Sequence, residues 1–474
     1  MNNWFDHIIY NTRAQPEMPA IIMEDRVVTY GMLGTAIDNC ARRINDLRVP
    51  RDGLVALIVN SPIRQMTLGL AAHRIGVRSM GIALAQPTVA EMKFDAVLSE
   101  SDVRPWLNPT NRFVGVDDTW FALTPLGGAE LPLPFPSEEH TVCRRSLTSG
   151  STGEPKIIDS TIGYIGRHVV PGITIYNGER VLAMPGLTSI FGYMVASAVL
   201  ASRKTLCFAE SPFQAIRMIE LFAIDFILAA TDQLIPLSRA ARKMDAQVRS
   251  LRTVAAGGSI PTRALAEGAM TYLCKNLRFR YGTSEVGLLA EATAAEVLAN
   301  PGFVGYLHPG FDIGVFAPDG RALPASELGI VKARVKRESS EPDPWTDHGD
   351  VGWITIEGGL YIVGRTADID DLSATSVRDI PPVHEVEHLL RLEWDASDAA
   401  AALVDGGGET EIWVGTVDCK DADAKVLETI LRQRGIHATV RLFPLKAIPR
   451  GANGKVQRGQ LKVLMQNAVA LSKF

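Results

Sequence analysis

The stretch RVLAMPGLTSIFGYMVASAVLASRKTLCFAESPFQAIRMIELFAIDFILAAT, residues 180–231, alternates two textures. RVLAMPG from Arg180, KTLCFAE from Lys204 and DFILAAT from Asp225 are short continuous apolar runs bounded by turn formers, the pattern of strands buried on both faces. Between them, FGYMVASAVLAS from Phe191 and PFQAIRMIELF from Pro212 have the length of helices. Strand, helix, strand, helix, strand, with no hairpin-length connection, predicts parallel strands flanked by helices.

The same alternation extends outward. Tyr30, Leu33, Ile37, Cys40, Ala41, Ile44 and Leu47 recur at helical spacing, LVALIVN from Leu54 follows as a strand, and LRTVAAGG from Leu251 is another strand after a further helical stretch. After about Asn300 the texture changes to short β-type runs, PGFDIGVFAPDGRALPASELGIVKARV, with Asp319-Gly320 as a hairpin-type turn. The last hundred residues read as a separate small unit, with EIWVGTVD as strand, AKVLETILRQRG as helix and HATVRLF as strand. The expected class is α/β: a large N-terminal domain, residues 1–365, of parallel helix-flanked sheets with a β-rich subdomain over about 301–365, and a small mobile C-terminal α+β domain, residues 366–474.

Composition narrows the function. The chain has 474 residues, 46% hydrophobic and 21% charged, with a net charge of −5, which gives no reason to expect nucleic acid or an anionic membrane as partner. Cys40, Cys143, Cys207, Cys274 and Cys419 are far apart and form no CxxC pair, so they read as buried thiols of a reducing compartment. No uncharged apolar run approaches the ~18 residues of a membrane span, and MNNWFDHIIY lacks the regions of a signal peptide. The expected location is the cytoplasm.

SLTSGSTGEPK, residues 146–156, fails the GxxxxGK[ST] pattern because no lysine directly follows its second glycine. It can still hold phosphate. Gly150 and Gly153 permit a nest of inward N–H groups, Thr148, Ser149, Ser151 and Thr152 add hydroxyl donors, and Lys156 adds a positive charge. On composition alone such a stretch is more often a surface turn.

The whole stretch LTSGSTGEPK closely resembles the signature of the adenylate-forming superfamily, which includes acyl- and aryl-CoA synthetases, luciferases and nonribosomal-peptide adenylation domains. Further motifs follow in family order: AAGGSIP from Ala255, RYGTSEVG from Arg280, WTDHGDVGWI from Trp345 with His348 replacing the usual threonine, GLYIVGR ending at Arg365, and IPRGANGKVQRGQL from Ile448. The resemblance implies an ATP site. The Thr148–Lys156 loop would hold the β- and γ-phosphates, with Thr152 and Glu285 as Mg2+ ligands. Gly257, Gly258 and Ser259 would line the adenine pocket beside Tyr281 and Gly282, Thr283 would contact the α-phosphate, and Asp350 and Arg365 would hold the ribose side. Lys455 would be the catalytic lysine of the small domain and Asp368 its hinge.

Two departures bear on the substrates. The segment GRTADIDDLSATSVRDIPPVHEVE from Gly364 lacks the internal glycine that relatives present to the pantetheine arm, since no glycine occurs between Gly364 and Gly406. In MPGLTSIFGYM, Thr188 and Ser189 stand where amino-acid adenylation domains carry an acidic residue. A plain aliphatic or aryl acid is therefore expected, with Asp232 keeping a polar acid open. The implied activity is ATP-dependent formation of an acyl-adenylate and transfer of the acyl group to a thiol, coenzyme A first. The alternatives are a carrier-protein thiol, or a nucleotide-binding protein without turnover. The expected state is a monomer or homodimer.

Overall fold

The computed structural model describes residues 3–83, 91–127, 138–149, 155–175, 178–283, 285–336, 343–366, 383–405, 410–450 and 456–471. The chain divides into two compact units, Met1–Thr148 with Pro155–Leu228 and Val248–Arg252, and Ser149–Glu154 with Ala229–Gln247 and Thr253–Phe474.

In the first unit one sheet has the order Phe113–Gly115, Ala96–Ser99, Leu54–Ile58, Arg78–Gly81, Val142–Ser149, Pro155–Thr161. Leu54–Ile58 is fully buried and pairs in parallel on both sides, as its unbroken apolar run requires. A second set runs Phe226–Ala230, Arg180–Ala183, Thr205–Cys207, Pro19–Met23, and these four pair in parallel. The parallel, helix-flanked arrangement expected from residues 180–231 is present.

The helices start on side-chain caps. Thr29 accepts from the Met32 amide, Ser189 from Gly192, and Ser211 from Gln214, with Pro212 opening the last of these helices. Each satisfies an amide that the first helical turn leaves unbonded. Ile190–Ala201 is buried almost all round, which is why its sequence shows no polar face.

In the second unit eight strands run in the order Phe311–Phe316, Gly329–Val335, Thr346–Ile354, Gly359–Arg365, Phe303–Leu307, Gly287–Thr293, Leu277–Thr283, Thr253–Gly257. All pair antiparallel except the last two, which are parallel. Ala290, Val304, Val315, Val331, Leu360 and Ile362 form the core beneath them. The Asp319-Gly320 turn forms, with Gly320 at φ +88° and the Gly320 amide bonded to the Ala317 carbonyl at 2.9 Å.

Toward the C-terminus, Asp398–Asp405, Thr410–Val417 and Thr439–Pro444 make a separate three-stranded sheet, first pair antiparallel and second parallel. The helix Arg458–Leu471 packs on it through Leu461 and Met465. The helix Val383–Glu393 is tied to the start of Arg263–Tyr272. His388 Nδ1 lies 2.8 Å from Thr262 Oγ1, and the Glu385 carboxylate accepts from the Ala264 amide at 3.1 Å and from Arg434 at 2.6 Å.

All five cysteines are free thiols, but only Cys40, Cys143 and Cys207 are buried. Cys274 and Cys419 are half-buried, which corrects the reading of five core thiols. Burial pushes the three buried thiols up to about 12.

Candidate nucleotide site

Thr253–Gly257 and Leu277–Thr283 are neighbouring parallel strands with Gly257 opposite Arg280, so the Gly258-Ser259 turn and the strand end Tyr281–Thr283, which is still paired with Gly287–Thr293, lie at one carboxyl-terminal edge. Loops at that edge of parallel strands form ligand crevices. Close approach explains Gly257: a Cβ there would lie 2.7 Å from the Arg280 carbonyl oxygen. Gly258 adopts φ +101°, a conformation that glycine accommodates without strain.

Two side chains, Arg365 and Tyr281, converge on the Asp350 carboxylate. Asp350 is buried, and the strand register sets it opposite Arg365. Arg365 Nε lies 3.0 Å from one Asp350 oxygen, and the Tyr281 hydroxyl donates to the other at 2.5 Å. A second guanidinium nitrogen of Arg365 donates to the His348 carbonyl at 2.6 Å, locking the turn before Asp350. An ionised carboxylate has about four acceptor positions, so with two engaged, Asp350 keeps capacity for two more donors, such as a pair of ribose hydroxyls. Burial first, and then the Asp350 charge, hold the Tyr281 hydroxyl well above its ordinary range, so it stays a donor.

Beside this group, Thr283 Oγ1 accepts from the Val286 amide at 3.2 Å, which fixes the hydroxyl at the end of the strand. The Glu285 carboxylate is 38% exposed and lies 3.5 Å from His348 Nδ1. His348 is buried, and neither ring nitrogen has a hydrogen-bond partner. Glu285 offers hard oxygen donors of the type Mg2+ takes with phosphate, so this residue fits such an ion. Among the described residues no three acidic, histidine or cysteine groups form a complete metal cage.

Ser259 belongs to a second polar group. Its hydroxyl is 3.4 Å from Asp232, which is also 3.2 Å from His388 Nε2. Asp232 thus faces the Ser259 loop and the helix Val383–Glu393. With His388 bonded to it, the Asp232 carboxyl titrates at about 2 despite the opposing effect of burial.

Lys156 is exposed on Pro155–Thr161, and Thr148 and Ser149 are the last residues of the strand Val142–Ser149. Gly150, Ser151, Thr152, Gly153, Asp368 and Lys455 lie outside the described residues. Ser189 Oγ donates to the Gly186 carbonyl at 2.8 Å and caps the next helix, so that hydroxyl is engaged in shaping the MPGLTS turn.

Arg144 was not singled out by sequence reasoning. Fully buried on Val142–Ser149, it donates to the Leu187 carbonyl and to Ser79 Oγ at 3.3 Å, and lies 3.9 Å from the Tyr193 ring centre. It ties the turn carrying Thr188 to the sheet. The sequence shows two adjacent arginines, Arg144 and Arg145, and only the packing buries the first and leaves the second partly exposed, so a buried guanidinium that requires several partners left no local signal.

The chain belongs to the AMP-binding enzyme family, whose sequence profile matches residues 10–334. Among individual relatives it is 21% identical to the 2-succinylbenzoate–CoA ligase of Listeria monocytogenes, over 98% of this chain and 99% of that protein. Its fold matches the O-succinylbenzoate coenzyme A synthetase of Bacillus subtilis in complex with ATP and magnesium ion, with a TM-score of 0.78, 20% identity and coverage of 97% and 99%. It also matches the amide bond synthetase McbA of Marinactinospora thermotolerans, with a TM-score of 0.77, 21% identity and coverage of 98% and 99%.

Proposed function

We propose that the chain is an ATP-dependent acid–thiol ligase. The observation that carries this reading is the Asp350 carboxylate, held between Tyr281 and Arg365 with acceptor capacity left and with Glu285 nearby. Full-length similarity to a CoA ligase supports it.

In the first half-reaction a substrate carboxylate oxygen attacks the α-phosphorus of ATP, and the bond to the pyrophosphate oxygen breaks, leaving an acyl-adenylate. In the second, a thiol sulfur attacks the acyl carbonyl, loses its proton, and AMP leaves. The difficulty of the first step is that two anions meet, so fixed donors and cations supply catalysis. Asp350 accepts from the ribose hydroxyls, Tyr281 stacks on adenine above the Gly257–Ser259 loop with Gly282 beside it, and Thr283 donates to the α-phosphate. A Mg2+ ion held by Glu285 and Thr152 would neutralise phosphate charge. The loop Thr148, Ser149, Gly150, Ser151, Thr152, Gly153 and Lys156 receives the β- and γ-phosphates, and Lys455 bridges carboxylate and phosphate oxygens.

The division at about Arg365 belongs to the same proposal: the small domain, 366–474, turns about Asp368 between the two steps, withdrawing Lys455. The substrate is a small carboxylic acid and the acceptor is coenzyme A, with a carrier-protein thiol as the second reading because the segment after Gly364 lacks glycine. No helix among the described residues is long and apolar enough to cross a membrane; the cytoplasm is the proposed location. ATP–pyrophosphate exchange over a panel of fatty, aryl and dicarboxylic acids tests the activity, and adding CoA or a pantetheinylated carrier identifies the acceptor. ATP binding without exchange for any acid would overturn it.

A further inference from the structure

His348 stands where the resembling motif carries threonine, and its imidazole is an anomaly. The side chain is 2% exposed, yet neither ring nitrogen is hydrogen-bonded. Buried polar atoms are nearly always paired, and each exception needs an explanation. The backbone that carries the ring is fixed on both sides. The His348 carbonyl accepts from Arg365 at 2.6 Å, and Gly349 sits at φ +73° with its amide bonded to Asp347 at 2.8 Å. Glu285, by contrast, is 38% exposed in the turn between Leu277–Thr283 and Gly287–Thr293, 3.5 Å from His348 Nδ1. That distance is beyond a well-formed hydrogen bond, and a small shift of the carboxylate closes it.

We infer that His348 is a positioning residue for Glu285: its Nδ1–H donates to one carboxylate oxygen when the cation–nucleotide complex draws Glu285 into place, leaving the other oxygen to the cation. This rests on Glu285 being the cation ligand. A carboxylate ligand is commonly oriented by such an outer partner, whose loss typically costs about 10- to 100-fold in metal affinity. Threonine has a shorter reach, so the histidine belongs to this chain's own version of the site.

Calorimetry of ATP binding to the full-length chain, with Mn2+ as probe ion and again with EDTA, gives the factor by which the ion strengthens ATP binding. His348→Phe, which keeps the ring and removes both nitrogens, is expected to lower that factor roughly tenfold or more, with the EDTA affinity unchanged. His348→Gln, whose amide overlies Nε2, should behave like the Phe variant. His348→Asn, whose amide overlies Nδ1, should stay within about threefold of the parent. A wild-type factor in the Phe variant, or an equal loss in the Asn variant, would overturn the inference. Glu285→Gln separates the two levels: loss there with none in His348→Phe removes only the His348 role, whereas no loss in Glu285→Gln removes the Glu285 assignment and the inference with it.

Discussion

The Tyr281 hydroxyl and the Asp350 carboxylate are 2.5 Å apart, joining the end of one strand to the buried acid of another. Tyr281→Phe keeps the ring and deletes this donor. A hydrogen bond to a charged group contributes about 1.5–3 kcal/mol, so ATP affinity is expected to fall roughly tenfold, while Asp350→Asn, which also leaves Arg365 without its counter-charge, should cost more. Because the hydroxyl is held above its ordinary range, wild-type affinity should show no titration of this group up to pH 10. Calorimetry with ATP checks both; a Phe variant with parental affinity would remove the tyrosine from the ribose-side network.

Glu387, buried in Val383–Glu393, meets Arg458 at 2.5 Å and accepts from the Ala401 amide at 2.8 Å. Burial alone would raise its pKa, but Arg458 and then His384 reverse this and hold it well below the ordinary 4.5. A depressed carboxyl stabilises the fold above its unfolded pKa and loses that contribution as pH falls toward the folded value. The C-terminal sheet should therefore lose stability from about pH 4.5 downward. Arg458→Met, by stranding a buried charge, should cost about 3 kcal/mol or more at neutral pH and flatten that acid slope. Hydrogen exchange of residues 398–405 and 410–417 reads both effects.

Gly257 and Gly258 are adjacent but differ in what they exclude. Alanine at 257 drives a methyl against the Arg280 carbonyl at 2.7 Å, and the two parallel strands must part. Overpacking of this kind costs about 1–3 kcal/mol. Alanine at 258 has open space but must hold φ +101°, so its penalty is backbone strain of about 1–2 kcal/mol. Denaturant midpoints should fall for both, with the larger loss of ATP affinity at 257, where the strand edge carrying Tyr281 moves. Equal ATP affinities would contradict this geometry.

The alternation in residues 180–231 was legible because parallel strands and their covering helices each leave a local pattern. Asp398–Asp405 was not. Its DAAAALVD carries four alanines, the best helix formers, and becomes a strand through pairing with Thr410–Val417 and packing around Trp413. In the site, Tyr281, Asp350 and Arg365 were legible as members of ordered motifs. Their convergence was not, because it depends on strand register across residues far apart in the chain. Arg144 and the stranded nitrogens of His348 were hidden for the same reason: burial and missing partners are properties of packing.

The most direct test is acid-dependent ATP–pyrophosphate exchange by the full-length chain and by Lys455→Ala. The account predicts exchange with at least one small carboxylic acid, a fall of roughly 100-fold or more in the Ala variant, and parental ATP affinity in both. Exchange at the parental rate in Lys455→Ala would contradict the role of that lysine, and ATP binding with no exchange for any acid would contradict the ligase itself.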